Sequence, residues 1–127
     1  VHDNTFTVAD NYWDQIIDGM EAVVHDRVSG TARGIGRGIN YRIAGKSGTA
    51  QVVGIAQGAE YDEDAITERQ RDHALFVGFA PIDNPQVAVA VIIENAGGGS
   101  THAAPVARKV FDWVLEANAR KQQASDK

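Results

Sequence analysis

The chain has 127 residues, 43% of them hydrophobic, with 12 Lys and Arg against 17 Asp and Glu and no cysteine. These values suit a single globular domain whose core needs neither a disulfide nor a structural metal, and they exclude thiol chemistry. A net charge of -5, with the basic residues scattered instead of striped, argues against nucleic acid as a partner.

The longest apolar run, 87–93, is far shorter than the roughly 18 residues a membrane helix needs, and the opening VHDNTFTVAD carries no signal-like pattern. Position 1 is not Met, which reads as a piece cut from a longer protein.

From Asp10 to Asp26, the apolar residues Trp13, Ile16, Ile17, Met20, Val23 and Val24 recur at helical spacing. Asp10 or Asn11 is available as N-cap, and Ser29-Gly30 can end the helix. Residues 30–40, GTARGIGRGIN, have no periodicity and read as a glycine-rich loop. Tyr41 to Val53 reads as a strand whose small-residue centre, AGKSGTAQ, lets other backbone come close.

Residues 54–71 form a long polar excursion with an acidic group at Glu60, Asp62, Glu63 and Asp64, and Asp64 to Arg71 can supply a turn or two of helix. HALFVGFA (73–80) and QVAVAVIIEN (86–95) flank PIDNP, which predicts an antiparallel hairpin. In the second strand Val87, Val89, Val91 and Ile93 line one face and Ala88, Ala90 and Ile92 the other, so both faces are expected to be covered. After the glycine loop 96–100, a helix is expected from Ala103 to about Ala119, with Val106, Ala107, Val110, Val114 and Ala117 on one face and Pro105 in its first turn. Residues 120–127 are expected to fray. The fold class is α+β, with three antiparallel strands packed against helices.

The chemistry concentrates at Gly45-Lys46-Ser47-Gly48-Thr49-Ala50. A phosphate-binding P-loop fails, because Asn40 stands where its first glycine belongs and a strand former follows where a helix must start. The segment GIGRG misses the dinucleotide fingerprint at Ile39. The alternative is the K-[ST]-G element of serine acyl-transferring enzymes. Strand alternation puts Lys46 and Gly48 on one face and Ser47 and Thr49 on the other. Lys46 offers a cation to a substrate carboxylate, Ser47 and Thr49 offer hydroxyls, and a backbone N–H near Thr49 can stabilise an oxyanion. A three-residue motif also arises by chance, and a plain surface turn is its bland reading.

The text around the motif sharpens this. YRIAGKSGTAQV, RDHALFVGFAP, NPQVAVAVIIEN and GGGSTHAAPVARKVFDWVL together closely resemble, over roughly residues 10–117, the C-terminal end of class B penicillin-binding proteins, nearest the elongation-specific members. The resemblance implies a partial penicillin-recognising transpeptidase fold, similar to the serine β-lactamases, lacking its N-terminal strands and helical subdomain. The complete fold is a five-stranded antiparallel sheet with helices on both faces. It implies a parent enzyme on the periplasmic face of a bacterial inner membrane. That enzyme would join peptidoglycan stem peptides ending in D-Ala-D-Ala through an acyl-serine intermediate, with β-lactams as mimics and no cofactor or metal. By position, Lys46, Ser47 and Gly48 match the family's third motif, and Thr49 matches the residue whose N–H and hydroxyl face the substrate. Expected partners are the stem peptide, β-lactam antibiotics, the remainder of the same transpeptidase domain and the cell-wall elongation machinery.

The departure from the family is as informative. Serine attack needs a nucleophile in S-x-x-K and a relay in S-x-N, yet the serines here, at 29, 47, 100 and 125, have neither Lys three nor Asn two positions on. The whole of 1–127 therefore reads as the C-terminal fragment of one transpeptidase domain, inactive alone, with the strand at 87–93 leaving an open edge for a strand supplied from upstream. The alternatives are a penicillin-recognising sensor or pseudoenzyme, and a D,D-carboxypeptidase or β-lactamase.

Other candidates have plain readings. His2, His25, His73 and His102 lack metal-ligand spacing and suit hydrogen-bonding or solvated positions. Arg33, Arg37 and Arg42 read as a solvated face, the acidic group misses EF-hand spacing, and Trp13 and Trp113 read as helix packing residues.

Overall fold

The computed structural model describes residue 7, residues 9–52 and residues 67–125. The acidic group at 60–64 and His2 lie outside the described residues. The chain order is α1 (Asp10–His25), β1 (Ala44–Ala50), a short 3-10 turn (Glu68–Gln70), β2 (His73–Ala80), β3 (Val87–Ile93) and α2 (Ala103–Ser125). The strands form one antiparallel sheet in the order β1-β2-β3, as the alternating patterns predict. β3 is therefore an edge of this sheet, and β1 is the other.

Register divides the sheet into two faces. Ser47, Phe76 and Val91 stand in line, as do Thr49, Ala74 and Ile93, while Lys46, Val77 and Ala90 and then Gly48, Leu75 and Ile92 share the opposite face. The first face carries the core. There Ala74, Phe76 and Ala80 pack with Ala103, Ala104, Ala107 and Phe111 of α2 and with Val24, Ala32, Ile35 and Ile43. Alanines on α2 bring the helix close to the sheet, and Phe76 and Phe111, both fully buried, fill the layer between.

Several expectations are corrected. The buried stripe of α2 is Ala103, Ala104, Ala107 and Phe111, while Val106 and Val110 are exposed; the small residues allow closer approach to the sheet than the valines would. α2 also runs to Ser125, because Ala, Arg, Lys and Gln over 119–124 are strong helix formers and no Gly or Pro interrupts them. Only one face of β3 is covered, since Ile92 remains 66% exposed and Ala88 and Ala90 are exposed beside it. Trp13 and Trp113 are exposed too, at 47% and 69%, because each lies on a helix face that no described element covers.

Helix α1 starts after Ala9, with no side-chain cap, and ends at Asp26. The Asp26 carboxylate accepts the N–H groups of Val28 and Ser29 at 2.8 and 3.0 Å, and these bonds hold its pKa below the usual carboxylate value. The glycine-rich loop that follows is held by α2. Arg108 Nη1 donates to the carbonyls of Ile35 and Arg37 at 2.6 and 3.2 Å, and Tyr41 donates its hydroxyl to Asp112 at 2.6 Å. Burial and the Asp112 carboxylate push the Tyr41 pKa up. The regular strand is shorter than 41–53, because Tyr41 and Arg42 are engaged with side chains of α2 and α1 before pairing with β2 begins.

Candidate active site

Lys46, Ser47, Gly48 and Thr49 all lie on β1, an edge strand, so alternate backbone N–H and C=O groups face away from β2. Lys46 is exposed on the open face of the sheet. Its Nζ donates to the Ser47 carbonyl at 2.6 Å. The same face holds a shallow apolar hollow of about 360 Å³ lined by Met20, Val77, Phe79 and Ala90 among others. Lys46 thus stands as a cation beside uncovered sheet.

Gly48 shares that face, and packing does not demand a glycine there. A methyl group at Gly48 would meet only Leu75 Cβ, at 3.5 Å, an ordinary contact. The open space beside its backbone is available to an extended ligand. On the other face, the Ser47 hydroxyl lies 3.2 Å from the Thr31 hydroxyl, within hydrogen-bond distance. Thr49 is exposed near the end of the strand. The motif therefore splits as alternation predicts: Lys46 and Gly48 to the open side, Ser47 and Thr49 to the side that α2 covers further along the sheet. Thr31 was not singled out from the sequence; a contact across 16 positions leaves no local signal.

Supporting groups surround the strand. Arg42 bridges Glu21 on α1 and Asp83 in the β2–β3 turn, the latter at 2.8 Å. The Arg42 hydrogen bond lowers the Glu21 pKa, and Glu21 raises that of Arg42. Two histidines accept backbone bonds: His25 Nε2 from Ile43 N, and His73 Nδ1 from Asn95 N, each at 3.0 Å. Both have the hydrogen-bonding role read from sequence. Arg33 donates to the Gly30 carbonyl at 3.2 Å and lines, with Arg27 and Arg37, a hollow of about 570 Å³ at the C-terminal end of α1. Among the described residues the hydroxyl beside Ser47 is that of Thr31, and no Lys or Asn side chain takes that place.

Residues 2–112 match the Transpeptidase family, the penicillin binding protein transpeptidase domain. The chain is 52% identical over 111 residues to the peptidoglycan D,D-transpeptidase MrdA of Acinetobacter baumannii, covering 87% of this chain and 16% of that protein. It is 48% identical over 103 residues to MrdA of Haemophilus influenzae, covering 81% of this chain and 16% of that protein. Among solved structures it is similar to Pseudomonas aeruginosa PBP2, with a TM-score of 0.69 and 49% identity over 87% of this chain and 21% of that one. It is also similar to Helicobacter pylori PBP2 in a complex with MreC, with a TM-score of 0.62 and 25% identity over 81% of this chain and 18% of that one. The chain thus spans 16% of the length of these curated relatives. With the K-S-G-T strand on the sheet edge and a family match running through α1, all three strands and the first part of α2, the chain belongs to the penicillin-binding protein transpeptidase domain family, and its fold is part of that of the PBP2-like members.

Proposed function

We propose that the protein carrying this chain is a serine-type peptidoglycan D,D-transpeptidase, and that Lys46, Ser47, Gly48 and Thr49 form one wall of its active site. The observation that carries the reading is the pairing of an exposed Lys46 with open space at Gly48 on the same face of an edge strand. A peptide ending in a carboxylate can lie along such an edge, hydrogen-bonding to its free backbone groups, with Lys46 supplying the countercharge. A serine from outside residues 1–127 attacks the penultimate D-Ala carbonyl, the terminal D-Ala leaves with a proton, and an acyl-serine remains. The amine of a neighbouring stem peptide then displaces the serine and completes the cross-link. A β-lactam follows the first step, but its leaving group stays tethered after ring opening. The Thr49 N–H and hydroxyl face the substrate carbonyl and carboxylate.

The isolated chain is inactive in this reading, because it lacks S-x-x-K and S-x-N. The parent acts at the periplasmic face of the inner membrane with the elongation machinery; similarity to a PBP2 found in complex with MreC supports a protein partner of that kind. No described helix is long and apolar enough to cross a membrane.

The test is penicillin acylation of full-length Lys46→Ala. Loss of a preorganised charged group at an acyl-transfer site costs roughly 100- to 1000-fold in rate, and the melting temperature should stay close to wild type because Lys46 is exposed. A wild-type acylation rate in a normally folded variant would remove Lys46 from the site.

A further inference from the structure

We propose that the loop 95–100 braces the strand carrying Lys46, and that Gly99 is the positioning residue that sets how closely this strand stands to the start of α2. The proposal rests on the functional reading above and adds a residue to it that does not touch substrate.

Gly99 sits directly on the paired backbones of β1 and β2. A methyl group there would overlap the carbonyl oxygens of both Gly48 and Leu75 and come within 3.0 Å of the Gly48 nitrogen. Gly48 and Leu75 are partners in the sheet, so the obstruction falls at the centre of the K-S-G-T segment. All three atoms are backbone, so no side chain can swing away to make room.

The loop cannot retreat either. At its far end Asn95 Nδ2 donates to the carbonyls of Arg69 and Arg71 at 2.9 and 3.0 Å, and Asn95 N donates to His73 Nδ1 at 3.0 Å. Gly97 N donates to the Asp72 carbonyl at 2.8 Å. At its near end the Gly99 carbonyl accepts the N–H groups of Ala103 and Ala104 at 3.0 and 2.9 Å and so belongs to the first turn of α2, where Ala103 and Ala104 are fully buried. What can give is β1, an edge strand held by the sheet on one side alone. A side chain at 99 therefore displaces Lys46, Gly48 and Thr49, and misplacement by about 1 Å can cost on the order of 100-fold in rate.

Gly98 is the internal control, since a methyl there would meet only Thr101 Oγ1, at 3.8 Å. The experiment compares full-length wild type, Gly99→Ala, Gly98→Ala and Asn95→Gly in stopped-flow acylation by a fluorescent penicillin. The burst amplitude counts folded active sites and the rate constant reports their geometry. Asn95→Gly keeps the backbone conformation at φ 55 accessible while deleting both side-chain anchors. The expected result is a 10- to 100-fold lower rate constant in Gly99→Ala with its amplitude retained, a smaller reduction in Asn95→Gly, and wild-type kinetics in Gly98→Ala.

A wild-type rate constant in Gly99→Ala, or an equal loss in Gly98→Ala, overturns the inference and leaves the functional reading intact. Should Gly99→Ala give no folded sites, Asn95→Gly decides: a lowered rate constant at full amplitude supports the brace, and an unchanged one overturns it. A wild-type protein that forms no acyl adduct overturns the functional reading and this inference with it.

Discussion

Ile43 donates its backbone N–H to Nε2 of His25 at 3.0 Å, which ties the last turn of α1 to the residue preceding β1, three positions before Lys46. Only a ring nitrogen without a proton can accept that bond. Burial lowers the His25 pKa from its ordinary 6.5, with Glu21 opposing the shift and Arg42 adding to it. A histidine with a lowered folded pKa takes up protons more readily when unfolded, so its contribution is complete above about pH 6.5 and is lost as the pH falls toward the folded value. Melting temperature of the full-length protein should decline between pH 7 and pH 5, with a shallower decline in His25→Gln. Equal slopes in the two proteins would detach His25 from the effect. Glu21, whose pKa is lowered from 4.5, acts below this window.

Gly48→Ala separates catalysis from folding. Since its methyl would meet only Leu75 Cβ at 3.5 Å, the variant should melt within a few degrees of wild type while acylating at least about tenfold more slowly, because the methyl occupies the space beside the strand backbone that the substrate needs. Full-rate acylation would show that no ligand lies along that face.

Tyr41→Phe removes the hydroxyl bonded to Asp112 and keeps the ring. A hydrogen bond to a charged group is worth about 1.5–3 kcal/mol, and Asp112 retains Arg108 at 2.8 Å, so a loss near the lower end is expected. Urea unfolding checks this: the midpoint should fall with the slope unchanged. An unchanged midpoint would mean that the Tyr41–Asp112 bond contributes nothing to stability.

Phe111→Ala should be far more costly. The side chain is fully buried between α2 and the sheet, and such truncations cost about 3–5 kcal/mol. Residues 120–125 are helical yet exposed throughout, so deleting them should leave the same denaturation midpoint nearly unmoved. A larger loss from the deletion than from Phe111→Ala would reverse this assignment of the core.

Much of this was legible in the residues. The period of α1, the PIDNP turn with its flanking strands and the start of α2 after the glycine loop follow from local pattern. Lys46 and Gly48 share a face because a strand has period two. Other features have no local signature. Tyr41 meets Asp112 across 71 positions and Arg108 meets Ile35 across 73, so the loop at 30–40 reads as unsupported until α2 is placed against it. The burial of Ala104 and Ala107 in preference to Val106 and Val110 reverses a ranking by hydrophobicity, since distance of approach decides which stripe of a helix faces a sheet. The role of Gly99 depends on tertiary contact with Gly48 and cannot be seen in GGGS itself.

In the proposed function this chain supplies a wall of an acyl-transfer site whose nucleophile lies elsewhere in the protein. Intact-mass analysis of the full-length protein after benzylpenicillin, followed by peptide mapping, tests it most directly. One adduct is predicted, on a serine of an S-x-x-K segment outside residues 1–127, with no adduct on the isolated chain. An adduct on Ser29, Ser47, Ser100 or Ser125 would contradict it.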